Sequence, residues 1–255
     1  MKKSFLNAEK PFVVGMILAE TPEECIGKIR DAVSDGADAI GFQTEKLKKE
    51  FRTKDVFRRV IAEAGDLPVY VTSYRKGSDA FYSDEECAEG LLLAAECGAT
   101  LIDVIGDLFG RSEKWELTED PEAIEKQKEL IERIHGLGAE VLISCHTHKP
   151  LTVEENLTVA RAQAERGADV IKIVDQYEEK SGLVTAVESI LAIRKETGKE
   201  VLFLAGGEGV PIREFGPAIG VIGYLAVPWY GPFDPKAQPL LKDAVALRDH
   251  FRYRK

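Results

Sequence analysis

The chain is 255 residues long, 44% hydrophobic and 31% charged, with a formal net charge of −10 at pH 7. These are the proportions of an ordinary globular protein large enough to bury one core. The acidity argues against non-specific nucleic-acid binding, because phosphates need a basic surface. No segment approaches the ~20 apolar residues of a membrane span, and Met-Lys-Lys-Ser-Phe-Leu at the N-terminus lacks the apolar run of a signal peptide. Cys25, Cys87, Cys97 and Cys145 form no CxxC pair. The expectation is a cytoplasmic protein with reduced, mostly buried thiols.

In chain order, the first apolar β-branched run is Phe12–Ile17, a predicted strand. Thr21–Ser34 follows with helical spacing, a capping threonine, Pro22 at the first helical position and the early acids Glu23 and Glu24. The second unit is Ala39–Phe42 then Asp55–Ala64, and the third is Val69–Thr72 then Asp84–Cys97. The fourth pairs Leu101–Val104 with Pro121–Leu137 across a long loop, Gly106–Thr118. Val141–Cys145 with Val153–Arg166 and Val170–Val174 with Val184–Thr197 make the fifth and sixth. Val201–Leu204 and Ile219–Ala226 are the last strands, and Pro239–Phe251 is a closing helix. Gly-Ala recurs where helices end, at Gly36, Gly98, Gly138 and Gly167, and a glycine there can take the left-handed conformation that closes a helix. Continuous apolar strands suit a parallel sheet covered by helices. Eight such units predict an α/β fold of the (β/α)8 barrel type, one domain over residues 1–255. The alternative, an open doubly wound sheet, would carry a glycine-rich first turn, which Met16–Glu20 is not.

A barrel of this kind places its chemistry at the C-terminal ends of the strands. The ends offer Gln43 and Glu45, then Thr72-Ser73-Tyr74-Arg75, Asp103 and Asp107, His146 and His148, Lys172, a glycine turn before Arg213, and Pro228-Trp229-Tyr230. Lys172 lies within the apolar strand Asp-Val-Ile-Lys-Ile-Val, where an ammonium loses its hydration. Such a lysine either ion-pairs and snorkels outward or acts as an amine nucleophile towards carbonyls. Burial and a nearby cation such as Arg75 both favour the free amine. His146, on the preceding strand, is either a satisfied strand-end histidine or the proton carrier that this chemistry needs. Cys145-His146-Thr147-His148 fits a metal site poorly, since no third ligand is local. Arg213 reads equally as a carboxylate clamp or a surface arginine.

From Pro11 to about Pro232, in strand order, the sequence resembles the type I 3-dehydroquinate dehydratases, Schiff-base-forming (β/α)8 enzymes of the shikimate pathway. Gly167-Ala168-Asp169-Val170-Ile171-Lys172-Ile173 is similar to the segment carrying their Schiff-base lysine. Ile143-Ser144-Cys145-His146 is similar to their Ser-Tyr-His, and Leu101-Ile102-Asp103-Val104 to their Ile-Asp-Val. Thr72 to Asp79 resembles their Thr-Phe-Arg stretch with its following glutamate, Asp79 standing in the acid's place. Leu204–Arg213 and Phe215-Gly216-Pro217-Ala218 resemble the glycine loop, its arginine and the Phe-Gly-Ser beyond. The departures lie in the binding shell: Gly41-Phe42-Gln43 replaces Glu-Trp-Arg, Glu45 replaces an aspartate, Ile105 replaces an acid, and Val227–Pro232 replaces Ala-Pro-Gly-Gln.

The resemblance implies that Lys172 forms an iminium with a cyclic ketone and that His146 shuttles protons. Asp79 would orient His146, and Arg213 would clamp a substrate carboxylate. Arg75, Asp103, Gln43 and Glu45 would complete the binding shell, the last three bonding to hydroxyls. No metal or organic cofactor is required. The partner is a small cyclic ketone, neither nucleic acid nor membrane is expected, and a homodimer is left open. Gly41 reads as a gap admitting a bulkier substituent, with Trp229 and Tyr230 as apolar walls, so a paralogue acting on another cyclic ketone is an alternative substrate reading. A class I aldolase and a non-catalytic ligand-binding barrel are the other rivals.

Overall fold

The computed structural model describes residues 3–6, 8–232 and 234–251. Eight parallel strands alternate with helices: β1 (Phe12–Ile17), α1 (Pro22–Ser34), β2 (Ala39–Gln43), α2 (Lys54–Glu63), β3 (Val69–Thr72), α3 (Asp84–Glu96), β4 (Leu101–Ile105) and α4 (Pro121–Gly136). Then come β5 (Glu140–His146), α5 (Val153–Glu165), β6 (Val170–Tyr177), α6 (Gly182–Thr197), β7 (Glu200–Gly207), α7 (Ile212–Phe215), β8 (Gly223–Ala226) and α8 (Leu241–His250). The strands follow one another round the sheet, and β8 returns to lie beside β1. Ile222 N–H donates to the Val201 carbonyl at 2.8 Å and so draws the β8 end towards β7. The result is a nearly closed (β/α)8 barrel, as the eight apolar runs predict.

Local signals set the helix starts. Thr21, Ser83 and Thr152 each accept from the backbone three residues on, while Glu24, Glu86 and Glu155 reach back to cap the other direction; such reciprocal caps satisfy two otherwise unpaired donors. Strands β6 and β7 run three residues beyond their apolar runs, pairing Asp175 with Ala205 and Tyr177 with Gly207. Backbone pairing at a rim needs no apolar side chain, so composition did not reveal it. Ile219 instead ends a short 3-10 turn, Gly216–Ile219, and the eighth strand starts later than predicted.

Every second strand residue points into the barrel. At the N-terminal end this interior is filled by Val14, Leu101, Leu142 and Leu202 and closed by Phe5, whose ring lies 4.9 Å from that of Phe12. Phe5 N–H donates to Glu140 at 3.0 Å, which fixes this plug to β5. The opposite end stays open as a cavity. Cys25, Cys87 and Cys145 are buried and Cys97 partly so, and all four are free thiols. Burial pushes the Cys25 and Cys87 thiols up to about 12, which makes them inert.

Candidate active site

A cavity of about 380 Å³ opens at the C-terminal end of the barrel. Its walls are the inward-facing strand residues Met16, Gln43, Tyr70, Thr72, His146, Lys172, Val174, Leu204 and Leu225, with Leu18 just past β1. Loops add Glu45, Lys46, Tyr74, Lys76, Arg213, Pro235 and Gln238. Lys172 and His146 are therefore in one chamber because strand parity puts both there: Ser144 pairs with Lys172 and His146 with Val174.

Lys172 is only 3% exposed, so its ammonium must be compensated. Nζ donates to Asp103 Oδ2 at 2.8 Å, to the Tyr70 hydroxyl at 2.9 Å and to the Tyr74 hydroxyl at 3.0 Å. Both phenols donate to the same Asp103 oxygen, Tyr74 at 2.8 Å. Burial opposes ionisation of Asp103, yet the adjacent Lys172 charge and hydrogen bonds leave its carboxyl below the usual range. Burial, and then the Asp103 charge, push both phenols well above their ordinary value, so both remain proton donors.

The His146 ring is held from behind. Its Nδ1 lies 2.5 Å from Glu116 Oε2, and its own backbone N–H donates to that oxygen at 2.9 Å. A carboxylate there favours the tautomer with the hydrogen on Nδ1, in which Nε2 is the ring's acceptor. Glu116 belongs to the long β4–α4 loop, where Trp115 and Glu116 sit at φ of 63° and 53°. Non-glycine residues in that region cost of order 1–3 kcal/mol each, and such strain gathers at functional sites. Buried Arg166 holds the loop by donating to the Gly106 and Thr118 carbonyls, and Gln127 adds bonds to Gly106 and Leu108. A side chain at Gly106 would meet the Glu116 carbonyl at 2.8 Å, so this close approach requires glycine.

Arg213 lines the cavity with Nε bonded to the Ala205 carbonyl at 2.7 Å. Among the described residues no carboxylate pairs with it, and burial alone pulls the guanidinium down to about 10. Glu45 is 1% exposed and accepts from Thr72 Oγ1 at 2.9 Å; burial pushes its carboxyl above the usual range. Gln43 is on the wall as expected. Gly41 is not a gap: a Cβ there would meet Met16 Sδ at 2.2 Å, so a thioether fills the space that an acid's side chain would need.

Three expected residues are engaged elsewhere. Asp79 accepts from the Lys49 backbone N–H at 3.3 Å, and Glu116 holds the His146 ring in its stead. Arg75 is clamped between Asp84 at 2.5 Å and Asp107 at 2.7 Å, so it braces the loops and does not line the cavity. Asp103 sits behind Lys172 as its counter-ion and does not line the cavity. Trp229 covers Lys28 Nζ at 4.3 Å, and Tyr230 donates to the Gln238 carbonyl at 2.8 Å, so neither forms a wall. Their loop presents Gln238 instead. His148 is exposed and outside the cavity. No group of three or more His, Cys, Asp or Glu side chains among the described residues could hold a metal ion.

The sequence model of the type I 3-dehydroquinase family matches residues 14–228. No curated protein matches the chain by sequence. Among solved structures, the Clostridium difficile type I 3-dehydroquinate dehydratase with covalently modified comenic acid superposes with a TM-score of 0.81 at 17% identity, covering 98% of each chain. The 3-dehydroquinate dehydratase of Geobacillus kaustophilus HTA426 gives 0.80 at 14% identity over 94% of this chain and 90% of that one. That of Enterococcus faecalis gives 0.75 at 16% identity, over 96% and 95%. Similarity at this level of identity establishes a shared fold.

Proposed function

Since the chain belongs to the type I 3-dehydroquinase family, we propose that it is a Schiff-base-forming carbon–oxygen lyase acting on a cyclic β-hydroxy ketone that carries a carboxylate. The observation carrying this reading is Lys172, bound to Asp103 and two phenols in the cavity that it shares with His146. A buried lysine needs a counter-ion for stability, but it does not need to face a ligand-sized chamber beside an oriented imidazole.

In this mechanism Lys172 attacks the ketone to give a carbinolamine and then, with loss of water, an iminium. The iminium draws electrons from the adjacent carbon and acidifies its C–H. His146 Nε2 removes that proton, then returns it to the β-hydroxyl as it departs as water. Glu116 holds the ring through Nδ1 and stabilises the imidazolium formed in between. Arg213, with no anion of its own among the described residues, takes the carboxylate. Gln43, Gln238 and Glu45 bond to polar substituents, and water attack on the iminium releases the product.

The wall formed by Met16 beside Gly41 supports a substrate that is less polar on that side than 3-dehydroquinate. A polar group left unpaired costs ~1–3 kcal/mol, so turnover of 3-dehydroquinate should be weak. Steady-state kinetics on it tests this point: a kcat/KM within the usual range of ~10⁴–10⁸ M⁻¹s⁻¹ would make 3-dehydroquinate the natural substrate. The four unpaired cysteines support a reducing, cytoplasmic setting.

A further inference from the structure

Imine formation needs protons moved at the carbonyl oxygen, and His146 is committed to the neighbouring carbon. The carbonyl oxygen has to be stabilised as Nζ attacks and then expelled as water. Tyr74 is placed for both. Its hydroxyl lies 3.0 Å from Lys172 Nζ, 2.8 Å from Asp103 Oδ2 and 3.5 Å from Ser144 Oγ. It lines the cavity, and its ring meets that of His146 edge-on at 5.6 Å.

We propose that Tyr74 is a catalytic residue, the proton relay of imine formation, linking the Lys172 nitrogen through Asp103 to the substrate's carbonyl oxygen. This rests on the Schiff-base reading of Lys172. In the first step a proton passes from the Lys172 ammonium to Asp103, and the freed Nζ lone pair forms the N–C bond. The carbonyl π pair moves to oxygen, which takes the Tyr74 proton, while the Tyr74 oxygen takes the proton held by Asp103. Ketone plus ammonium thus become a protonated carbinolamine, with charge conserved. In the second step one nitrogen proton travels the same route to the carbinolamine hydroxyl. The C–O bond breaks, water leaves, and the nitrogen pair closes the C=N bond of the iminium.

The geometry selects Tyr74 over its neighbours. The oxygen in question is on the carbon bonded to Nζ, so a hydroxyl already bonded to Nζ lies beside it and delivers its proton by turning the O–H away from Asp103. Tyr70 shares the bonds to Nζ and Asp103 but lacks the contacts with Ser144 and the His146 ring, and it is only 1% exposed. The high ionisation threshold of Tyr74 keeps its proton in place until an alkoxide forms beside it. The shared Asp103 oxygen replaces that proton, so no phenolate accumulates.

The test uses pentane-2,4-dione, which condenses with reactive lysines to an absorbing vinylogous amide whatever the natural substrate. Wild type should form this adduct on Lys172, and Tyr74→Phe should form it ~10²–10⁴-fold more slowly, the usual contribution of positioned acid–base groups. The wild-type rate should fall in D2O, and that sensitivity should vanish in Tyr74→Phe, which a purely structural role would not produce. Equal rates in the two proteins overturn the relay and leave the Schiff-base reading standing. A wild-type rate indifferent to D2O overturns it without recourse to the variant. Absence of any wild-type adduct on Lys172 overturns both readings.

Discussion

Arg213→Met should make the protein more stable and less active. Burial alone draws the guanidinium from its ordinary value down to about 10, with no opposing carboxylate among the described residues. At 1.36 kcal/mol per pKa unit, holding this charge costs the unliganded fold roughly 3 kcal/mol. The unfolded chain keeps the proton up to its ordinary value, whereas the folded protein releases it near pH 10. Below pH 10 the penalty is therefore present in full, and stability gains from this group only as pH rises between those limits. Methionine keeps most of the apolar stem and removes the charge, so at neutral pH the unfolding free energy should rise by about 1–3 kcal/mol, or several degrees in Tm. Lost hydrogen bonds to a substrate carboxylate are worth roughly 2–3 kcal/mol, which corresponds to about 30- to 150-fold in kcat/KM. Thermal unfolding with and without 3-oxocyclohexanecarboxylate reads both effects, because a ligand bound only by the folded state raises Tm. Wild type should respond to the carboxylate and the variant should not. A variant that is less stable than wild type and equally responsive would refute the reasoning.

Further outcomes follow from the same geometry. His146→Ala should lose ~10²–10⁴-fold in turnover while still trapping the imine, and His148→Ala, exposed outside the cavity, should stay near wild type in the same steady-state assay. Glu116→Gln preserves an oxygen for both bonds to His146 but loses the charge, so kcat should fall by ~5- to 30-fold, equivalent to about 1–2 kcal/mol. Asp79→Asn, which removes only a carboxylate at the Lys49 backbone, should leave kcat close to wild type; a loss matching that of Glu116→Gln would restore Asp79 as the orienting acid. Gly41→Glu alone should not improve activity on 3-dehydroquinate, because Met16 fills the space; combined with Met16→Ala it should, as judged by kcat/KM.

The parts of the site legible in the sequence are those fixed by strand periodicity. Lys172 and His146 occupy alternating positions on adjacent strands, and a parallel barrel has only one way to present them. Tyr70 obeys the same parity two residues before Thr72, but an aromatic residue in an apolar strand reads as core until its hydroxyl's partners are known. Glu116 was not legible. It reaches His146 because two left-handed residues turn the loop and Arg166, 50 residues further along the chain, pins it. No local spacing encodes such an arrangement. For Arg75 and Asp79 the reason is complementary: a motif gives position on a loop, while the competing carboxylates of Asp84 and Asp107 and the Lys49 amide decide where the side chains go. The apparent hole at Gly41 shows the same limit, since the residue that fills it comes from the neighbouring strand.

The central claim is that Lys172 is the amine nucleophile of this barrel. Incubation with 3-dehydroquinate and with 3-oxocyclohexanecarboxylate in the presence of borohydride, followed by intact mass and peptide mapping, tests it directly. The account predicts a reduced covalent adduct with at least one of these ketones on the peptide containing Lys172, absent from Lys172→Met. No adduct with either ketone, or an adduct on Lys46 or Lys76 at the cavity rim, would contradict it.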